Sequence, residues 1–199
     1  MAFFRTVSFA EQIPAVEGDG VFLRAPHTGD YGDWAALREQ SRAFLTPWEP
    51  TWPADDLSRS AFRRRLRRYA EDQRSDASYA FFLFRKSDQV LLGGLTLANI
   101  RRGVAQAGSL GYWIGEPYAR HGLMTAAVRA LIPFCFATLR LHRLEAACIP
   151  SNAASIRLLE KTGFVREGYA REYLCINGLW QDHLLFARLS GDPAPSGPK

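Results

Sequence analysis

Apolar positions along the chain switch between two periods, about 3.6 residues and 2 residues, and the switches mark out its elements. VFLRAP (Val21–Pro26) predicts a short strand. Trp34, Leu37 and Ser41 then fall on one face of a helix that Asp30 or Asp33 caps and that runs to about Phe44. Pro47, Pro50 and Pro53 break regular structure in FLTPWEPTWP. That loop carries Trp48 and Trp52, so it is either pinned to the core or lines a site. Phe62, Leu66 and Tyr69 at i, i+4 and i+7 predict a second helix over Asp55–Arg74. Three strand signals follow, ASYAFFLFRK, QVLLGGLTLANI and AGSLGYWIGEP, the first two joined by a polar turn at Ser87–Asp88. Helix returns over about Arg120–Leu139 with a kink expected at Pro133. HRLEAACIP is a strand, and NAASIRLLEKTGF is a helix stopped by Gly163. FVREGYAREYLCI and LWQDHLLFARL close the chain as a hairpin about Asn177–Gly178. This order predicts a single mixed α/β (α+β) domain over residues 20–190 with a mostly antiparallel sheet and interleaved helices. Residues 1–19 read as a poorly ordered lead-in and 191–199 as a disordered tail.

Length and composition narrow the class. The 199 residues, 47% of them hydrophobic, suit one core of ordinary size. No apolar run approaches the roughly 20 residues of a membrane span. The N-terminal stretch has Arg5 and Glu11 among its apolar residues and does not read as a signal peptide. Cys135, Cys148 and Cys175 are odd in number and sit in apolar company, which predicts reduced, buried thiols in a cytoplasmic protein and neither a disulfide framework nor a metal site. No metal is expected. The net charge of +5 suits an anionic partner without requiring one.

Two stretches carry candidate chemistry. In LGYWIGEPYARHGLMTAAV a strand leads through a tight turn into a helix. A helix N-terminus offers unpaired backbone N–H groups and about half a unit of positive charge, so it suits a phosphate. Gly122 permits close approach, Arg120 and His121 can add charge, and Thr125 a hydroxyl. A single glycine at a helix start is nevertheless common, and a plain structural start is the simpler reading of that stretch alone. Further on, Asn152 and Ser155 lie three apart in the first turn of the next helix, so they share a face. Taken alone, Asn152 is an N-cap and Ser155 a polar first-turn residue.

Together, these stretches resemble the GCN5-related N-acetyltransferase (GNAT) superfamily, whose pattern is a strand, a glycine-containing pyrophosphate loop, a helix, a strand, and Asn-x-x-Ser/Ala opening a helix that ends in Gly-Phe. The match covers about Val21–Leu189. FLTPWEP, LGYWIGEPYARHGLMTAAV, NAASIRLLEKTGFVREGYAREYL and GLWQDHLLFA further resemble the ribosomal-protein alanine N-acetyltransferases of the RimJ type. Ala119 and Met124 depart from the superfamily loop, in which Gln/Arg and Gly/Ala are usual at those places. The resemblance implies the GNAT fold, a mixed, mostly antiparallel sheet flanked by about four helices. It implies acetyl-CoA as donor, with its pyrophosphate on the N–H groups of Arg120, His121, Gly122, Leu123, Met124 and Thr125. The pantetheine would run along the YWI strand, with the thioester carbonyl near the N–H of Trp113 or Ile114. Asn152 would hydrogen-bond the pantetheine, and Ser155 would protonate the leaving thiolate.

The acceptor has to be a neutral amine. An α-amino group, with a pKa of about 7.7–8.0, is partly neutral at pH 7, whereas lysine at about 10.4 is almost wholly charged. An N-terminal acceptor thus asks little of a base, and a carboxylate acting through water suffices. Glu49, in the tryptophan loop, is the first candidate; Glu116, Glu145, Glu172 and Asp182 are rivals, each with a plain surface role as the alternative. Trp48, Glu49 and Trp52 are expected to shape the acceptor pocket. His121 is expected beside the phosphates, and His183 packed or exposed in the last strand. RSAFRRRLRRYAEDQR carries seven arginines, which form either a solvated face or a patch for weak contact with ribosomal RNA. The leading expectation is transfer of acetyl from acetyl-CoA to the N-terminal alanine of a small-subunit ribosomal protein. The alternatives are a small-molecule amine or lysine as acceptor, or a non-catalytic ribosome- or RNA-binding module.

Overall fold

The computed structural model describes residues 15–193. Eight strands form one sheet: β1 (Val16–Glu17), β2 (Val21–Arg24), β3 (Tyr79–Arg85), β4 (Leu91–Arg101), β5 (Ala107–Ile114), β6 (Arg143–Cys148), β7 (Val165–Ile176) and β8 (Leu179–Leu189). Their order across the sheet is β1-β2-β3-β4-β5-β6-β8-β7, antiparallel throughout except where β5 meets β6. The helices are α1 (Tyr31–Gln40), the one-turn α2 (Arg42–Leu45), α3 (Arg59–Arg74), α4 (Leu123–Pro133) and α5 (Ala153–Lys161).

Strand β3 shows how the sheet organises the core. Its residues Tyr79–Phe84 are all buried because both faces of the strand are covered. Tyr79, Phe81 and Leu83 join the layer under α4 and α5, with Val128, Leu131 and Leu159. Phe82 and Phe84 join the layer under α1 and α3, with Trp34, Leu37 and Phe62. Alternation along a strand thus serves two cores instead of separating core from solvent.

Several boundaries differ from the sequence expectation, each for a local reason. Within the expected lead-in, Val16 and Glu17 pair with Leu23 and Phe22; residues 1–14 lie outside the described part. Asp30 does not cap α1 through its side chain, because both carboxylate oxygens hold Arg24 (2.6 and 2.8 Å) and one also takes the His27 N–H. The first helix does not run unbroken to Phe44: α1 ends at Gln40, and buried Ser41 separates it from α2. Helix α3 starts at Arg59, four residues later than expected, since the Ser58 side chain accepts the Ala61 N–H there. Pro133 ends α4 without a sharp break; lacking an N–H, it leads into a wider turn over Phe134–Thr138, where the Leu139 N–H reaches the Phe134 carbonyl. Cys135 and Cys148 are buried as expected, and burial pushes the Cys135 thiol up to about 12, but Cys175 is exposed on the edge strand β7. Of the expected tail, Asp192 accepts the Leu189 N–H and the Pro193 carbonyl accepts from Arg188, so residues 191–193 fold back on β8; residues 194–199 lie outside the described part. The closing hairpin turns at Asn177–Gly178, whose φ values of 47° and 80° suit the expected two-residue turn.

Gly93 is where the sheet is tightest. A Cβ there would lie 2.3 Å from the Trp113 carbonyl oxygen and 2.9 Å from the Ile114 Cα, both backbone atoms. Gly93→Ala is expected to destabilise the protein by about 1–3 kcal/mol, the usual range for overpacking. Gly111→Ala, whose Cβ meets nothing within 4 Å, should leave the urea midpoint close to the parent's. Equal midpoints for both variants would show that β4 and β5 are not in this contact.

Candidate active site

Strands β5 and β6 pair only over Ala107–Ser109 with Arg143–Glu145. Beyond Ser109 they part, and Leu110–Ile114 have no partner strand on that side. On the other side the ladder with β4 continues, and the Gly115 N–H donates to the Leu92 carbonyl at 2.8 Å. Antiparallel bonds alternate along a strand, so Trp113 shares the parity of Gly115 and its N–H points to β4. The backbone groups of Tyr112 and Ile114 point the other way, into the gap. Of the two expected carbonyl-binding donors, Ile114 therefore faces the opening and Trp113 does not.

The chain leaves β5 through a fixed corner. Helix α1 presses so close that a Cβ on Gly115 would meet Leu37 Cδ1 at 2.3 Å. The Glu116 N–H donates to the hydroxyl of buried Ser41 at 2.9 Å. Arg120 and Gly122 then take left-handed backbone angles, φ 65° and 79°, and α4 begins at Leu123, not at Arg120. No side chain caps this helix; Ala126 donates to the Gly122 carbonyl, while the N–H groups of Leu123, Met124 and Thr125 precede the first intrahelical bond. They open on a cleft of about 990 Å³ lined by His121, Gly122, Leu123, Thr125, Arg129 and Lys161 among others. Met124 is buried in the core, and its side chain does not line the cleft. Arg120 is exposed at the turn; the cleft carries charges of both signs, Arg129 and Lys161, which the sequence did not single out, and the carboxylates of Glu17, Asp19, Glu160 and Asp192.

Across the gap stands α5. The Asn152 side chain accepts the Ser155 N–H at 3.0 Å, which makes it the N-cap of this helix. The Ser155 hydroxyl lies 2.6 Å from the Tyr112 hydroxyl. A tyrosine from β5 thus reaches the first turn of α5 where the two strands have separated. Burial pushes the Tyr112 phenol above its ordinary value, outweighing the Ser155 bond, and burial likewise raises the neighbouring Cys148 thiol. Tyr112 was not foreseen; its signal was the alternation Leu110, Tyr112, Ile114, which places a hydroxyl on the helix-covered face of an open-edged strand.

On the other face, Glu49 is held tightly. Arg38 donates to its two carboxylate oxygens at 2.8 and 2.7 Å, and the Trp52 indole N–H donates at 2.7 Å. The Arg38 guanidinium lies 4.0 Å from the Trp52 ring centroid and 5.0 Å from that of Trp113. The Glu49 carbonyl accepts the Asn177 N–H from the tip of the β7–β8 hairpin at 2.9 Å. The expected trio therefore divides: Glu49 and Trp52 are bound together with Trp113, while Trp48 is exposed at the rim, as are Leu179 and Trp180 of the hairpin. Arg38 was also missed, although its place one residue after Leu37, on the stripe with Trp34 and Ser41, marks a charge on a buried face.

The rival groups have other partners. Glu145 pairs with Arg101 and Arg143, and Glu116 is exposed. Asp182 accepts from the Tyr169 hydroxyl and the Glu172 N–H, holding a bulge in β7 in which Glu172 has φ 46°. His183 is buried, with Nδ1 2.9 Å from the Gln181 carbonyl and its ring against Tyr173. His121 is exposed at the cleft, on the side foreseen for it.

Comparison with known proteins agrees with this architecture. Residues 21–165 match the family model described as an acetyltransferase (GNAT) domain. The chain is 34% identical over 177 residues to the [ribosomal protein uS5]-alanine N-acetyltransferase of Escherichia coli, covering 89% of this chain and 91% of that protein. It is equally similar, at 34% over 177 residues, to the probable N-acetyltransferase YjcK of Bacillus subtilis, covering 89% and 98%. Among solved structures, Mycobacterium smegmatis RimJ in complex with CoA-disulfide superposes with a TM-score of 0.83 at 28% identity, covering 90% of this chain and 88% of that one. The Vibrio fischeri ribosomal-protein-S5-alanine acetyltransferase gives 0.83 at 31%, covering 90% and 98%. With a split sheet, an uncapped α4 and these relatives, the chain belongs to the GNAT acetyltransferase family and is an acyltransferase whose relatives include RimJ-type ribosomal-protein alanine acetyltransferases.

Proposed function

We propose that this enzyme moves the acetyl group of acetyl-CoA to the N-terminal alanine of a small-subunit ribosomal protein. The parting of β5 and β6 carries the proposal. It leaves a strand edge that can pair with the amides of pantetheine, leading from the free N–H groups of α4 to the Tyr112–Ser155 pair. The diphosphate rests on the N–H groups of Leu123, Met124 and Thr125, with the His121 ring beside them and Arg129 and Lys161 as the cations of the same cleft. The Ile114 N–H is the donor for the thioester oxygen. That the Mycobacterium relative is a RimJ with a CoA disulfide, and the Escherichia relative a uS5-alanine acetyltransferase, supports both donor and acceptor.

The reaction balances without a covalent enzyme intermediate. The acceptor nitrogen attacks the thioester carbonyl, the C–S bond breaks, and the amine's proton leaves while the departing sulfur gains one. Tyr112, kept protonated by burial, donates to Ser155 and leaves the serine's own hydrogen free to turn toward the sulfur. A thiolate of ordinary pKa about 8.5 is a good leaving group once so assisted. Glu49 receives the amine's proton through water. A carboxylate has about four lone-pair sites; Arg38 and Trp52 occupy three, and the one remaining on Oε1 is available to a water. Arg38 is then a positioning residue that holds both oxygens of this carboxylate and aims its free site. Trp48, exposed in the loop that carries Glu49, suits a polypeptide acceptor better than a small polar amine.

Three measurements test these roles. Intact-mass spectrometry of small-subunit ribosomal proteins incubated with enzyme and acetyl-CoA should show one protein gaining a single acetyl on an N-terminal alanine. Comparable or faster turnover of small amines or of lysine peptides with blocked N-termini would replace this acceptor. Ser155→Ala should lower kcat by about 10²-fold or more, the range for general acid–base catalysis, while calorimetry finds acetyl-CoA affinity little changed. A parallel fall in both would make Ser155 a binding residue. Arg38→Met should cost more stability than Glu49→Gln, because it strands a partly buried carboxylate; breaking such a pair typically costs about 3–5 kcal/mol. Arg38→Lys should restore stability in part but keep kcat low, since an ammonium cannot fork across both oxygens. Full activity in Arg38→Lys would remove Arg38 from the positioning of Glu49.

A further inference from the structure

Helix α3 carries charge that the fold does not use. Of its seven arginines, Arg64 and Arg65 pair with Asp55 and Asp56, and Arg59 lies over the Tyr31 ring. Arg63, Arg67, Arg68 and Arg74 are exposed and make no ion pair among the described residues. At 100° per residue, Arg63, Arg67 and Arg74 fall within about 40° of one another on the side opposite Phe62 and Tyr69. Arg64 and Arg68 extend the stripe, and Glu71 is its only acid. The helix has no acidic residue in its first turn, and it places like charges at i, i+4 three times, Arg59 with Arg63, Arg63 with Arg67 and Arg64 with Arg68. Both features cost helix stability. A merely solvated face would gain from interleaved glutamates, as where Arg42 meets Glu39 beside α1.

We infer that the outer stripe of α3 binds the phosphate backbone of double-helical RNA. The stripe from Arg63 to Arg74 is about 17 Å long at 1.5 Å per residue, enough to follow several successive phosphates along an A-form groove. It presents guanidinium groups and no aromatic ring, because Phe62, Leu66 and Tyr69 face inward. Binding is therefore through phosphates, without base stacking and without sequence preference. The helix also flanks the proposed acceptor site. It follows the tryptophan loop directly, and Arg65, on its inner side, is close enough for the Glu49 charge to act on it. A duplex on α3 lies beside the place where the acceptor N-terminus is taken up, as a ribosomal protein on its particle requires. That last link rests on the acceptor proposed above; the RNA surface itself does not.

The test is fluorescence anisotropy with a labelled 20-base-pair RNA duplex of mixed sequence. Three full-length proteins are compared: the parent, Arg63→Gln/Arg67→Gln/Arg74→Gln, and a charge-matched control, Arg140→Gln/Arg157→Gln/Arg166→Gln. With about four phosphate contacts the parent should lose roughly 100-fold in affinity between 50 and 200 mM salt. The α3 variant should bind more weakly, with its log–log salt slope reduced by about three, one per arginine removed. The control should retain the parent's slope. Equal weakening in both variants would reduce the effect to net charge and overturn the proposal. So would tighter binding to single-stranded RNA or to polyglutamate, the latter pointing to an acidic protein. Acetylation of a free alanyl peptide should be unchanged in the α3 variant, which excludes misfolding. Should the parent bind duplex yet acetylate no N-terminal alanine, the acceptor assignment falls and the RNA surface stands.

Discussion

The parting of β5 from β6 governs this molecule. A sheet that closed its ladder there would satisfy the backbone of Leu110–Ile114 and leave nothing for a ligand to pair with. The strands separate because the structure on each side holds them apart. On one side Gly93 and Gly94 let β4 fit closely against Trp113 and Ile114, and Gly115 lets α1 press on the strand's end. On the other, β6 is bound along its length by β8, from Arg143 with Leu189 to Cys148 with Leu184. Between them a side chain bridges what the backbone does not: Tyr112 of β5 reaches Ser155 in the helix that follows β6.

The same opening divides the chemistry between two faces. Tyr112 and Ile114 belong to the layer under α4 and α5, with the helix terminus suited to phosphate and with Ser155. Trp113, one residue away, points into the opposite layer and touches Arg38. Consecutive residues of one strand therefore face two layers, Tyr112 and Ile114 on the side of Ser155 and α4, Trp113 on the side of Arg38. Moving the strand register by one residue would exchange these faces, and the two glycines facing it on β4 restrict that register.

Much of this was legible in the sequence because it is local. The helix after Gly122, the Asn152 cap, the Asn177–Gly178 turn and the succession of elements along the chain all follow from residues within a few positions of one another. What the sequence did not disclose is long-range. Glu49 reads as a free carboxylate until Arg38, eleven residues back, is seen holding it in a bidentate pair. Tyr112 reads as one aromatic among many until the strands part and α5 brings Ser155 to it. Trp113 was grouped with Ile114 as a backbone donor, but the parity that separates them depends on which neighbour each N–H faces. The helix start was placed three residues early because a left-handed arginine, Arg120, looks like a helical one in sequence.

Glu49 is fixed from three sides. A carboxylate in bulk water is not aimed, whereas here Arg38 forks across both oxygens, the Trp52 N–H orients Oε2, and the hairpin tip holds the backbone through Asn177. An α-amino group is already partly deprotonated at pH 7, so the N-terminal acceptor proposed above asks for little more than one well-placed carboxylate, whereas a lysine acceptor must first lose a proton held to about 10.4. With three donors already on Glu49, only one lone-pair site on Oε1 is left to a water, and the smaller demand of an α-amine suits that geometry better than the larger demand of lysine.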